Sequence, residues 1–345
     1  MKSLLIISAL TLVGSCATTR YSTKIENLKE GIHLNDSTTV MTYAKTITAE
    51  ELKVLLYDFT SEDFRGRKAG TEGQKKASNF LKNYYKEQNI LSPINDSIYF
   101  QNIPAENLPE GTGSSENVIA YIKGTEKPDE VVIISAHLDH LGVEDGKFFN
   151  GADDNGSGTT ALMEMAQAFK LASENGHAPK RSVLFLHLTA EEIGLQGSQY
   201  YMQHPIFDLD KTIANLNIDM IGRIDNRHKE NGDYLYLIGS DRISKELHYI
   251  SEKINDRYFK MELDYTYNDE NDRNRYYYRS DHYNFASQDI PVIFYFNGEH
   301  DDYHLPTDTP DKIEFKLLEK RTRLIFATAW HLANKKGDLI HNVNL

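Results

Sequence analysis

Cysteine is nearly absent, with Cys16 alone among 345 residues. A single thiol excludes an intrachain disulfide. Long apolar runs are also missing beyond the N-terminus, so no later stretch reads as a membrane-spanning helix. Basic residues are the minority charge: 38 Lys and Arg stand against 51 Asp and Glu, a formal charge of −13. That balance argues against nucleic acid as a partner, which needs basic stripes. No internal repeat or low-complexity linker divides the chain. What remains is ordinary for a globular protein, 40% hydrophobic and 26% charged, and long enough for a substantial core.

The first residues, MKSLLIISALTLVGSC, have the layout of a secretory signal. Lys2 provides a basic start, Leu4 to Val13 a short apolar run, and Gly14 and Ser15 small residues before Cys16. The ending resembles a lipobox. It implies a signal peptide over residues 1–16, export, and a lipid anchor to a membrane through Cys16, facing the periplasm or exterior. Residues 17–47 are polar and mixed and read as a tether with an edge segment. Residues 48–345 read as one catalytic domain.

Within that domain apolar runs alternate with helical spacing. Thr48-Ala49-Glu50-Glu51 resembles a capping box before Leu52, Leu55, Leu56 and Phe59. Gly66 to Gly73, GRKAGTEG, is a loop whose glycines read as structural. Lys75 to Gln88, Ser157 to Phe169, a start at Gly197 to Met202, Ser244 to Asn255 and Leu317 to Asn334 read as helices. Strand-like runs are Asn117 to Lys123, Glu130 to Ala136, Arg181 to Leu188, Ile213 to Met220, Asp233 to Ile238 and Pro291 to Phe296. This alternation predicts an α/β fold: three layers, with a mixed, largely parallel central sheet and helices on both faces.

Metal-capable residues recur just after the apolar runs. His137 and Asp139 follow one, Asp153 and Asp154 open the next helix, and Glu191 and Glu192 follow RSVLFLHLTA. Asp219 ends IANLNI, and His304 follows PVIFYFNGEHDDY. Each alone has an ordinary explanation: a hydrogen-bonded histidine, a good Asp-Asn-Gly turn, or a solvated helix start. Asp219 is harder to dismiss, since a carboxylate within an apolar strand needs a partner. In an open α/β sheet the strand ends lie side by side, so their recurrence there points to a metal hydrolase site.

The segments SAHLDH, GADDNGSG, TAEEIGLQGS, NIDM and DYHLPTDTPDKI resemble, in order, those of the secreted bacterial zinc aminopeptidases. These belong to metallopeptidase family twenty-eight, which includes glutamate-carboxypeptidase-like and glutaminyl-cyclase-like enzymes. The resemblance covers about Glu50 to Asn334 and is weakest over Arg223 to Tyr278. It implies two zinc ions per chain, bridged by Asp154 and held by His137 and Asp219 on one side and Glu192 and His304 on the other. It makes Asp139 the carboxylate that orients His137, and Glu191 the general base acting on a metal-bridging water. Asp153 is left to hold the turn.

The implied reaction is removal of N-terminal residues from peptides. Arg279, Asp281 and His282, within YYYRSDH, and Tyr303 are candidates for the substrate pocket. His187 reads as a core residue, and His140, His204, His248 and His331 show no sign of being ligands. The alternatives are a one-zinc glutaminyl-cyclase-like acyltransferase and a noncatalytic binding domain on the same fold.

Overall fold

Four apolar runs form the centre of one sheet. They are β3 (Lys127–His137), β6 (Arg181–Leu188), β7 (Thr212–Ile218) and β10 (Val292–Phe296). Every residue of β6, β7 and β10 is buried. Strands covered on both faces need such unbroken apolar runs. The computed structural model describes residues 21–34, 36–95 and 97–345.

The remaining strands complete the sheet. β1 (Phe100–Ile103), β2 (Ser115–Ile122), β8 (Tyr234–Ile238) and β9 (Glu262–Asp264) give eight strands in the order β1-β2-β6-β3-β7-β10-β8-β9. β6, β3, β7 and β10 run parallel, while β1–β2, β2–β6 and β8–β10 pair antiparallel. A separate hairpin joins β4 (Gly142–Glu144) to β5 (Lys147–Phe149).

The alternation along β3 separates two cores. Val132, Ile134 and Ala136 face one layer with Phe169 and Phe326, while Val131 and Ile133 face another with Tyr201 and Phe285. The first layer is built by α3 (Ala49–Phe59), α5 (Gly158–Glu174) and α9 (Phe315–Asn334); the other α-helices of the described residues outside the second layer are α1 (21–31), α2 (Ser37–Ala44), α4 (Glu72–Glu87) and α7 (Lys245–Ile254). The second holds α6 (Gln196–Gln203) and α8 (His282–Ala286). The expected mixed sheet with helices on both faces is therefore present. In the first layer, the Phe169 ring lies 4.7 Å from Phe326 and 5.6 Å from Trp330.

The predicted helices appear with ends moved by a few residues. Thr48 caps α3, accepting from the Glu51 amide at 3.2 Å, and its hydroxyl donates to the Glu51 carboxylate at 2.6 Å. The capping pair thus closes through side chains. Three expectations change. The proposed tether is helical over residues 21–31 and over Ser37–Ala44, and Val40, Tyr43, Ala44 and Ile47 are buried. Within the helix, Val40, Tyr43 and Ala44 share one face, but three residues are too few to show a period in the sequence. Asp219 lies one residue beyond β7 rather than inside it. β1, β4, β5 and β9 are too short to show a period and were not anticipated. The signal segment and Cys16 lie outside the described residues. Among the described residues no helix is long and apolar enough to cross a membrane.

Glu164 on α5 is a buried carboxyl whose Oε2 has no hydrogen-bond partner among the described residues. Burial, then the nearby Glu51 carboxylate, push it up to about 8. The unfolded chain ionises at its ordinary value of 4.5, so the folded state holds the extra proton between these values. Stability supplied by the neutral acid is present below pH 4.5 and is lost as pH rises to about 8. Glu164→Gln should flatten this slope, so its melting temperature relative to wild type should rise across that window. Parallel melting curves for the two proteins would refute the assignment.

Candidate metal centre

The carboxyl ends of the parallel strands converge at one edge of the sheet, the usual site location in open α/β folds. His137 is the last residue of β3, Glu191 and Glu192 follow β6, Asp219 follows β7, and the loop to His304 leaves β10. Asp154 arrives from the turn Ala152–Ser157 that starts α5.

Asp154 stands at the middle. Its Oδ1 lies 3.2 Å from His137 Nε2, and its Oδ2 lies 3.1 Å from His304 Nε2. His137 Nε2 also lies 3.3 Å from Asp219 Oδ1, and His304 Nε2 3.2 Å from Glu192 Oε2. Ligand atoms of His137, Glu191 and Asp219 fall within 4.8 Å of one another, as do those of His137, Asp154 and Glu192. Each imidazole nitrogen thus faces two carboxylates, although a single N–H can align with only one. Two imidazoles and three carboxylates form a donor set that fits zinc, so the residues present suit the ion.

The groups of the cluster shift one another's proton affinities. Although burial opposes it, hydrogen bonds from His137 and His304 hold Asp154 well below the ordinary carboxylate range. Burial also opposes protonation of His304, but Asp154 and Glu192 lift it to about 10. Glu191 is pushed well above the usual range by burial and by the charges of Asp219, Glu192 and Asp281, with His137 opposing them.

The turn carrying Asp154 is held from several sides. The Asp308 carboxylate accepts from the amides of Asp153 at 3.0 Å and Asp154 at 3.1 Å. Asn155 accepts from the amides of Gly158 at 3.0 Å and Met220 at 3.2 Å, and donates to the Ile218 carbonyl. This single side chain joins the start of α5 to the end of β7. Asp153 points away from the cluster. It accepts from the Gly222 amide at 2.7 Å and pairs with His300 at 3.2 Å, consistent with the turn-holding role read from sequence.

Other expectations change in detail. The Asp139 carboxylate is 3.9 Å from His137 Nδ1, while the Asp139 main-chain carbonyl is 3.1 Å from that nitrogen. The carboxylate accepts instead from the Glu191 amide at 3.1 Å, so it seats the Glu191 segment more directly than the imidazole. His140, given no role from sequence, lies 2.6 Å from Glu192 through Nδ1 and steadies that carboxylate. The available signal was its place in the HLDH segment, three residues after His137.

A pocket beside the cluster is lined by Met220, Phe294, Phe296, Tyr276 and Tyr303, with Arg279 and Glu299 paired at 3.1 Å. Tyr303 stacks on His304 with ring centres 3.9 Å apart. Of the four residues read as substrate-pocket candidates, Tyr303 and Arg279 line this pocket. Asp281 and His282 do not line this pocket. Asp281 is buried and accepts from Ser198, and His282 is buried against Phe294 at 4.7 Å. α8 begins at His282 and turns both side chains into the protein. Elsewhere, His228 lies between Asp225 and Asp264, at 2.8 and 3.3 Å, and stacks on Tyr234 of β8.

The model of Peptidase family M28 matches residues 117–329, well over half of the chain. The chain belongs to peptidase family M28. Aminopeptidase YwaD of Bacillus subtilis (strain 168) is 34% identical to it over 111 residues, which is 32% of this chain and 22% of that protein. The match thus spans about a fifth of that relative's length. Among solved structures, the LapA aminopeptidase of Legionella pneumophila aligns with a TM-score of 0.68 and 22% identity, over 88% of this chain and 77% of its own. The glutaminyl cyclase of Porphyromonas gingivalis aligns with a TM-score of 0.64 and 17% identity, over 81% and 97%. At such identities these structures show the shared fold of this M28 chain.

Asp308→Ala would free the amides of Asp153 and Asp154 while leaving every candidate ligand in place. Zinc affinity, measured against a competing chelator, should fall by about 10- to 100-fold with the circular dichroism unchanged. Unaltered affinity would show that Asp308 does not aim Asp154.

Proposed function

We propose that this protein is a two-zinc exopeptidase acting as an aminopeptidase on peptides outside the cytoplasm. The observation that carries the reading is Asp154, whose two oxygens face two different His–carboxylate pairs. His137, Asp154 and Asp219 would hold one ion, and Asp154, Glu192 and His304 the other. Zinc so held supplies Lewis acidity and lowers the pKa of water to near neutrality.

The chain's own groups do the rest. Glu191 lies at the pocket, close to His137 and Asp219, and its raised proton affinity suits a general base. It takes the proton of the attacking water and passes it to the nitrogen of the leaving amine. Met220, Phe294, Phe296 and Tyr276 offer an apolar seat for the side chain of the first residue. Glu299, the pocket carboxylate outside the ligand cluster, supplies an acidic partner for the free α-amino group. The aminopeptidase names of YwaD and LapA support this direction of attack.

Digestion of a peptide library read by mass spectrometry should show loss of N-terminal residues, abolished by chelator and restored by zinc. Glu191→Ala should lower the rate by about a hundredfold to ten-thousandfold while both ions stay bound. Unchanged hydrolysis in that variant would remove Glu191 from its role. One zinc per chain with cyclisation of N-terminal glutamine would favour the acyltransferase. Retained metal with no turnover of any peptide would favour a binding domain.

We further propose export and lipid anchoring through Cys16, on the strength of the signal layout before it. Cys16→Ser should move the protein from the membrane fraction to the soluble fraction of the producing cells. An unchanged distribution would exclude the anchor.

A further inference from the structure

Arg67 belongs to the loop read from sequence as structural, and the proposed chemistry gives it no part. Its side chain is buried, with 1% of its surface exposed, and among the described residues it forms no ion pair. Among the described residues, its side-chain hydrogen bonds all go to main-chain carbonyls. Nε donates to Leu138 at 2.9 Å, Nη1 to Asn150 at 2.6 Å and Nη2 to Gly151 at 3.0 Å. The Arg67 carbonyl accepts in turn from the His140 amide at 3.4 Å.

These partners sit at informative places. Leu138 directly follows His137, and Gly151 stands three residues before Asp154. Between them the chain makes the β4–β5 hairpin. One planar group therefore clips together the entry and exit of the loop that separates a terminal ligand from the bridging one. The backbone bends sharply to deliver it: Arg65, Gly66 and Arg67 all have positive φ, at 48°, 63° and 54°. A Cβ at Gly66 would lie 2.3 Å from the Gly142 carbonyl oxygen and 2.6 Å from that of Phe149, so the turn is wedged into the base of the hairpin. Phe59 lies under the guanidinium at 4.7 Å and fixes its plane.

We propose that Arg67 is a positioning residue, whose three-carbonyl fork sets the spacing of His137 and Asp154 before any metal binds. This rests on the reading of the cluster as a metal centre. The fork and the charge make opposite demands. A fixed positive charge near the cluster repels a metal cation, so removing the charge alone would tighten binding. Removing the fork frees both ends of the loop and would weaken it. Lysine keeps the charge but is a point donor that cannot hold three carbonyls in one plane.

Zinc affinity of the full chain, by chelator competition, separates these effects. Arg67→Lys and Arg67→Met should both bind zinc at least about tenfold more weakly than wild type. Their kcat should fall with little change in KM. An Arg67→Lys protein equal to wild type in affinity and kcat, or an Arg67→Met protein that binds more tightly, would overturn the proposal. A wild-type chain that binds no zinc would instead bring down the metal-centre reading, and this inference with it. The wild type also offers a check that needs no variant. With nitrogen-labelled arginine, the Arg67 Nε–H should be protected from solvent exchange both before and after zinc is added. Protection that appears only with zinc would show that the fork is not preformed, which also overturns the proposal.

Discussion

The contact on which the arrangement depends is the Asp154 carboxylate, with one oxygen toward His137 and the other toward His304. For both contacts to exist, a strand end, a turn before a helix and a distant loop must meet within hydrogen-bond distance. The parallel core meets this demand because β3, β6, β7 and β10 open their carboxyl ends on the same edge. What the sheet leaves undetermined, the loops settle through side chains bonded to main chain. Asn155 joins α5 to β7, and Asp308 aims the amides of Asp153 and Asp154.

Burying so many carboxylates is costly unless each finds a partner. The protein answers in layers. The acids of the candidate metal centre, Asp154, Asp219 and Glu192, meet imidazoles directly. Beneath them, Asp153 pairs with His300; each shifts in the direction expected of an ion pair, the acid down and the base up. Further out, buried arginines serve main-chain carbonyls. Arg321 donates to the carbonyls of Tyr234, Ile221 and Arg223, fixing the chain after β7 much as Arg67 fixes the chain after β3. Main-chain carbonyls at loop ends would otherwise be unsatisfied once the loops pack over the sheet.

The parts legible in the sequence were those governed by local pattern. Buried parallel strands need continuous apolar runs, so β6 was bounded correctly by RSVLFLHL alone. Helix faces show their period, and Thr48 with Glu51 marked the start of α3. The helix Ser37–Ala44 escaped because a short polar helix contributes only Val40, Tyr43 and Ala44 to the core, too few to reveal a period. At the site, the order of short motifs was enough to name the five candidate ligands and Glu191. Asp281 and His282 misled because adjacency to Arg279 in sequence does not survive the start of a helix between them.

Residue types and their order alone determined the central strands of the sheet, most of the helices flanking it and the set of metal-capable side chains. Those features depend on local periodicity and on short motifs, which a linear chain displays openly. Only the tertiary structure decided how these side chains are held. That Asp139 serves Glu191 through its carboxylate and His137 through its carbonyl, that His140 braces Glu192, and that Arg67 clips a loop by both ends all involve groups brought together by folding. Several of the acceptors are main-chain carbonyls, which every residue carries. Nothing in the spelling of the sequence distinguishes the carbonyl that will be chosen, because three-dimensional proximity selects it.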